Sequence, residues 1–124
     1  MGNKYHSKEI IIDGIKFQSK KEGKRWIVLK QYEKEGKIYN LQRQVKFLLI
    51  PAQREPDKVG IRGGITKGKV IEKECSYIAD FVYGTEDGLV VEDVKGYKFG
   101  GAYSVFSIKR KLMLKEYGIR VKEI

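Results

Sequence analysis

The sequence predicts an α/β fold: a mixed β-sheet flanked by helices, with a hairpin in front of it. Three observations carry that expectation. Asp13-Gly14 and Asp87-Gly88 each separate apolar, strand-like runs, as the turns of tight hairpins do. Two stretches with helix start or stop signals interrupt those runs. The chain then closes on a strand, a helix and a strand, whose right-handed crossover sets the last strand parallel to the third.

The residues Glu9-Ile10-Ile11-Ile12, the Asp13-Gly14 turn and Ile15-Lys16-Phe17 read as the N-terminal hairpin. Ser19 followed by Glu22 is an S-x-x-E capping box, and Gly36 supplies a left-handed stop. Between them Trp26 and Leu29 share one stripe, which Ile27, Val28 and Tyr32 widen. Residues 38–50 turn strand-like, and 45–50 are apolar nearly throughout, as in a strand covered on both faces. Pro51 ends that run. Residues 51–69, with Pro56, Gly60, Gly63-Gly64 and scattered Lys and Arg, read as a flexible basic loop or mobile hairpin. A segment of that length is unusual inside a small domain and is a candidate for function. A second strand over 70–84 sets Cys75, Tyr77, Ala79, Phe81 and Tyr83 on one face and Ser76, Ile78, Asp80 and Val82 on the other. The third runs over 89–95. Gly96, Gly100 and Gly101 make a flexible loop, 104–117 a helix stopped by Gly118, and 119–124 the closing strand.

The 124 residues suit one domain spanning 1–124. Lys and Arg number 26 against 16 Asp and Glu, a net charge of +10. Such a balance fits DNA, RNA, ribosomal or acidic-membrane partners, or simply a solvated surface. One Cys and one His exclude a disulfide framework and a multi-Cys or multi-His zinc site. The stretch Phe47-Leu48-Leu49-Ile50 is far too short to cross a bilayer, and no signal-peptide pattern opens the chain. The expectation is a soluble, intracellular protein with a polyanionic partner and no membrane.

With Asp87-Gly88 as a two-residue loop, Glu86 faces Leu89, which sets Asp80 opposite Lys95 and Val82 opposite Asp93. Asp80, Asp93 and Lys95 then share a face, the two carboxylates being diagonal neighbours about 7–8 Å apart. A one-residue slip would bring Glu92 beside Asp80 instead. Two carboxylates about 5 Å apart repel by roughly 3 kcal/mol at an effective dielectric of about 20, a penalty that a hard divalent cation removes. Such a cation polarises a phosphate and activates water, and Lys95 at the same edge can offset growing charge. The plainer alternative is a cross-strand Asp80–Lys95 ion pair. Glu22 is either the reciprocal capping-box carboxylate or, lying on the apolar stripe of its helix, a group that reaches a metal between helix and sheet. Gln44 is a site-lining amide or an ordinary edge residue. Lys20, Lys21 and Lys24, and then Lys98, Lys109, Arg110 and Lys111, flank the acidic residues and are placed for phosphate backbone, or are solvated charges. Tyr97, Phe99 and Tyr103 suit base stacking or core packing. His6 carries no role.

Glu22 on the first helix, Asp80, and Asp93-Val94-Lys95 together resemble the PD-(D/E)xK nuclease superfamily, with its restriction-endonuclease-like αβββαβ core. Small archaeal-type Holliday junction resolvases are similar. So are short phage-encoded nuclease-like proteins, which share the flavour of Phe17-Gln18-Ser19-Lys20-Lys21-Glu22, Leu41-Gln42-Arg43-Gln44-Val45 and Val90-Val91-Glu92-Asp93-Val94-Lys95-Gly96. The resemblance covers about residues 15–124. It implies Asp80 as central metal ligand, Asp93 as the second with the Val94 carbonyl, and Lys95 as catalytic lysine. Glu22 would be a further ligand or a water-orienting carboxylate. It implies a Mg²⁺-dependent endodeoxyribonuclease (Mn²⁺ as substitute) acting on branched DNA as a homodimer, in the cytoplasm of a bacterium or phage-infected cell. Three departures stand out: Asp93 replaces the commoner Glu, Ala79 stands where a proline is frequent, and 51–69 has no counterpart in minimal resolvases. The rivals are a non-catalytic basic DNA-binding module and a nickase, single-strand-specific or site-specific endonuclease of the same superfamily.

Overall fold

The computed structural model describes residues 9–96 and 98–124; His6 and Tyr97 lie outside the described residues. Strands β1 (Ile10–Ile12) and β2 (Ile15–Phe17) form the expected hairpin, with Asp13 and Gly14 both at positive φ. Helix α1 (Lys20–Lys34) starts where Ser19 Oγ accepts the Glu22 N–H at 3.1 Å. Its buried stripe is Glu22, Gly23, Trp26 and Leu29. Ile27, Val28 and Tyr32 face solvent, so the stripe is narrower than expected. The β1–β2 hairpin lies so close over α1 that a Cβ on Gly23 would come within 2.9 Å of Ile12 Cδ1.

Strand β3 (Tyr39–Ile50) is followed by a paired arm, the hairpin alternative of the two expected for residues 51–69. Within the arm, β4 (Gln53–Arg54) pairs with β7 (Val70–Glu72), and β5 (Lys58–Val59) with β6 (Ile65–Thr66). The second long strand, β8 (Cys75–Thr85), therefore begins later than the pattern implied, and β9 (Gly88–Asp93) ends before Lys95. Helix α2 (Gly101–Tyr117) starts three residues before Ser104, whose Oγ turns back to bond the Gly100 carbonyl, and it stops at left-handed Gly118. Only Lys122–Glu123 of the closing segment forms a strand, β10, parallel to β9 as the crossover rule requires. The sheet order is β10-β9-β8-β3, an α/β mixed sheet with two helices.

Strand β3 lies at one edge of the sheet, and only one of its faces is covered. Phe47 and Leu49 turn inward while Lys46, Leu48 and Ile50 meet solvent, so the apolar run 45–50 is not doubly buried.

One core cluster joins Phe17, Trp26, Leu29 and Ile38 to Phe81 and Tyr83; the other joins Leu49, Tyr77, Ala79, Val82 and Val91 to Phe106, Met113 and Val121. Each large side chain fully buried in these clusters contributes about 1.5–3 kcal/mol. A regular strand would keep Tyr77, Ala79, Phe81 and Tyr83 on one face, as the alternation predicted. Instead Tyr77 packs on Phe106 of α2 while Phe81 stacks on Trp26 of α1. The changeover falls at Asp80 and its β3 neighbour Gln44, which holds φ 52°, a conformation that non-glycine residues rarely adopt. The β3–β8 ribbon thus turns over at this point.

Candidate functional site

The register of the β8–β9 hairpin differs from the expected one. Thr85 pairs with Gly88 across a Glu86-Asp87 turn, in which Thr85 Oγ1 accepts the Asp87 N–H and donates to the Gly88 carbonyl. The expectation took Asp87-Gly88 as the loop; the threonine hydroxyl, which closes the turn one residue earlier, overrides it. Phe81 faces Glu92 and Val82 faces Val91, so the expected pairing of Val82 with Asp93 does not form, and Asp80 has Asp93 as its charged neighbour rather than Lys95. The shift is by two residues, which by itself exchanges no faces between Phe81 and Thr85.

Asp80 Oδ2 accepts the Val94 N–H at 2.8 Å, and its Oδ1 lies 3.3 Å from Gln44 Nε2. Burial pushes its pKa up to about 7; the Asp93 charge adds to this, the Val94 N–H opposes it, and Glu22 adds again. Asp93 is 5% exposed. Its partner is the Lys95 ammonium, so the expected Asp80–Lys95 pair is replaced by Asp93–Lys95. This contact is an ion pair without a well-directed hydrogen bond, and Asp93 Oδ2 has no hydrogen-bond donor. The ammonium also lies 3.6 Å from the Phe106 ring centroid. Around Asp93 the backbone is pinned by the chain's end: Ile124 N–H donates to the Asp93 carbonyl and Lys95 N–H to that of Ile124. Val94 thus meets Asp80 through its N–H.

Glu22 is 6% exposed and reaches this cluster from α1. The Ser19 half of the capping box forms, but Glu22 Oε1 has no hydrogen-bond donor and lies 3.8 Å from Arg43 Nη2. Burial raises its pKa, Arg43 counters, and Asp93 raises it further. Tyr77, 4% exposed, brings a hydroxyl beside Asp93 that lacks a well-formed hydrogen bond; burial, then the Asp93 and Asp80 charges, push its pKa far up. Among the described residues the buried polar side-chain atoms without a hydrogen bond are Glu22 Oε1, Arg43 Nε, Tyr77 Oη and Asp93 Oδ2, all in this neighbourhood. Each such atom costs about 1–3 kcal/mol unless something satisfies it.

A cleft of about 370 Å³ opens beside the cluster, lined among others by Tyr77, Asp93, Lys95, Phe106 and Lys109. Asp80 and Glu22 do not line it. Among the described residues no group of three or more His, Cys, Asp or Glu side chains is close enough to hold a metal ion. The neighbouring carboxylates of Asp80 and Asp93 are the available pair.

The basic residues divide. Lys20 and Lys24 are exposed on the first turns of α1, while Lys21 Nζ donates to the Lys95 carbonyl at 2.6 Å. Lys109 faces the cleft, and Lys98 and Lys111 are exposed. Arg110 is not available for phosphate as expected, because it bonds Glu123, Ser107 and Tyr103. Tyr103 donates to Glu123 at 2.6 Å and packs on Phe106, which is the core reading; Phe99 is exposed.

Behind the site the sequence reading missed a buried clamp. Fully buried Glu92 accepts Arg25 Nε at 2.7 Å and Arg25 Nη2 at 2.6 Å, and it accepts the Tyr83 hydroxyl as well. Arg43 and Tyr77 were missed too, although Arg43 stood in a quoted motif. No spacing rule pairs α1 with β9, and the hairpin count that pairs β8 with the end of β9 depends on the turn, which the Thr85 hydroxyl shifts.

The family model described as "Protein of unknown function (DUF1064)" matches residues 2–123. The chain belongs to this family. No curated protein and no solved structure matches it. No described helix is long and apolar enough to cross a membrane.

Proposed function

We propose that this member of the family is a metal-dependent endodeoxyribonuclease of the PD-(D/E)xK type, hydrolysing phosphodiesters of branched or structured DNA. One observation carries the reading: Glu22, Tyr77 and Asp93, whose buried polar atoms lack well-formed hydrogen bonds and lean on the ion pairs with Arg43 and Lys95, gather beside Asp80, so that several carboxylates share one small region. A cluster of that kind, unsatisfied within the chain, is what a site completed by a ligand looks like. The order α1, β3, β8, β9, α2, β10 supports a restriction-endonuclease-like core. The all-oxygen donor set fits Mg²⁺ or Mn²⁺, since Mg²⁺ is commonly held by one or two carboxylates plus substrate phosphate. A cation between Asp80 and Asp93 would supply charge neutralisation at the scissile phosphate and acidify a water.

The chain's own groups divide the remaining work. Asp80 is oriented by the Val94 N–H and Gln44, so its free lone pairs point in a set direction. Lys95 leaves Asp93 for the phosphate once that carboxylate has another partner, and there it offsets developing charge. Glu22, held near Arg43, orients a water or acts as a further ligand. Lys20, Lys24, Lys98 and Lys109 contact backbone phosphates and set position rather than sequence. A homodimer supplies the two sites that cutting two strands needs.

A second reading, a basic binding module without catalysis, has the Asp93–Lys95 ion pair in its favour. An assay with Mn²⁺ on linear, nicked, flapped and four-way DNA separates them. The nuclease reading expects cleavage by the wild type, loss of it in Asp80→Asn, and DNA binding retained in that variant. Binding without cleavage of any form, by wild type and variant alike, leaves the binding module.

A further inference from the structure

The arm between β3 and β8 has no part in the chemistry above, yet it is built rather than loose. Glu55 N–H donates to the Lys69 carbonyl, Gly68 N–H to Asp57 Oδ1 at 2.8 Å, and Arg54 to the Gly68 carbonyl. Its tip is closed by Gly60 N–H to the Gly64 carbonyl at 2.7 Å, with Gly63 at positive φ. At Gly68 a side chain would collide with the Glu55 carbonyl, so the cross-over of the two legs depends on glycine there. This order secures no core: Val59, Ile61 and Ile65 are 73%, 109% and 71% exposed. Around them Lys58, Arg62, Lys67 and Lys69 are exposed as well, and residues 58–69 contain no acid. Of the acids just before them, Asp57 is engaged by Gly68.

A preformed tip with an apolar point and an excess of cations over the acids Glu55 and Asp57 at its base fits a ligand that offers both anions and apolar slots. Unstacked base steps between phosphates are such a ligand. Prising open an intact stack costs a few kcal/mol per step, and least where pairing is already interrupted. The legs of the arm run directly into β3 and β8, the strands that carry Gln44 and Asp80, so a tip seated on DNA also sets where the acidic cluster meets the backbone. We infer that the arm over residues 53–72 is a branch-point reader: Ile61 wedges into the unstacked step of a DNA junction while Lys58 and Arg62 hold the flanking phosphates. The inference deepens the nuclease proposal by assigning its substrate preference, and it rests on that reading only for what happens after binding.

The test is binding in EDTA, so that hydrolysis plays no part. A four-way junction carrying 2-aminopurine at the branch and a linear duplex of equal length are titrated with full-length wild type, Ile61→Asp and Lys58→Ala/Arg62→Ala. For Ile61→Asp we expect loss of the 2-aminopurine signal and junction binding weakened about tenfold more than linear-duplex binding, which falls only by the small factor that one added negative charge costs. For the double variant we expect both DNAs to weaken and the slope of log affinity against log salt to fall by about two. An unchanged junction-to-linear ratio in Ile61→Asp overturns the inference. So does an Ile61→Asp effect confined to phosphatidylserine vesicles, or one confined to oligomeric mass in light scattering, because the tip would then serve a membrane or a second copy. Absence of cleavage by the wild type, with the Ile61 effect intact, removes the nuclease reading and leaves the arm.

Discussion

Asp80 combines costs that a purely structural residue would shed. It is half-buried, neighbours Asp93, and stands opposite a Gln44 held in a left-handed conformation, which costs roughly 1–2 kcal/mol relative to ordinary backbone. Because its pKa rises from 3.8 to about 7, the folded state holds a proton that the unfolded chain releases. Stability is therefore greatest below about pH 4 with respect to this group and falls as pH climbs towards 7; Glu22 acts in the same sense. Asp80→Asn should flatten that decline and raise neutral-pH stability by about 1–2 kcal/mol, read from urea melts at pH 4.5 and 7.5. A variant less stable than wild type at pH 7.5 would mean that the carboxylate is structural. Gln44→Gly should likewise stabilise by up to about 1 kcal/mol and, on the nuclease proposal, weaken cleavage in the Mn²⁺ assay. Gain in stability without change in cleavage would show the strain to be incidental.

At the scale of elements, the position of α1 against β9 rests on the clamp of Arg25, Glu92 and Tyr83. Glu22 lies one turn before Arg25 and Asp93 directly follows Glu92, so the clamp that docks the helix also sets Glu22 towards Asp93. Arg25→Ala strands a buried charge and should cost about 3–5 kcal/mol, measurable in a urea melt followed by the fluorescence of Trp26, the single tryptophan. A loss below about 1 kcal/mol would mean that the Glu92 charge is satisfied without Arg25. Hairpins, caps and helix stops were legible because they depend on residues close in sequence: Asp13-Gly14, Ser19, Gly36 and Gly118 all do what local sterics ask of them. The second hairpin misled because Asp87-Gly88 competes with the Thr85 hydroxyl for the turn, and the hydroxyl wins.

Across the whole molecule, the charge of +10 sets the strength of any DNA association more than any single contact does. With several lysines on phosphate, affinity for DNA of any form should drop on the order of a thousandfold between 50 and 200 mM salt. A flat response in anisotropy titrations would exclude DNA as the ligand. The arm, the edge position of β3 and the turning over of the β3–β8 ribbon are properties of the assembled sheet. The apolar run at 45–50 is compatible with either a central or an edge strand, and nothing within it tells which.

From its residues alone this chain announced the first hairpin, the two helices, the long strands and the parallel closing strand, because short-range sterics and alternation act between near neighbours. Folding chose the partners: Asp93 for Lys95, Arg43 for Glu22, and Gln44 and Val94 for Asp80. Those choices depend on hairpin register and on how helix packs on sheet. Both are settled by burial summed over residues far apart in the chain, which no local pattern records.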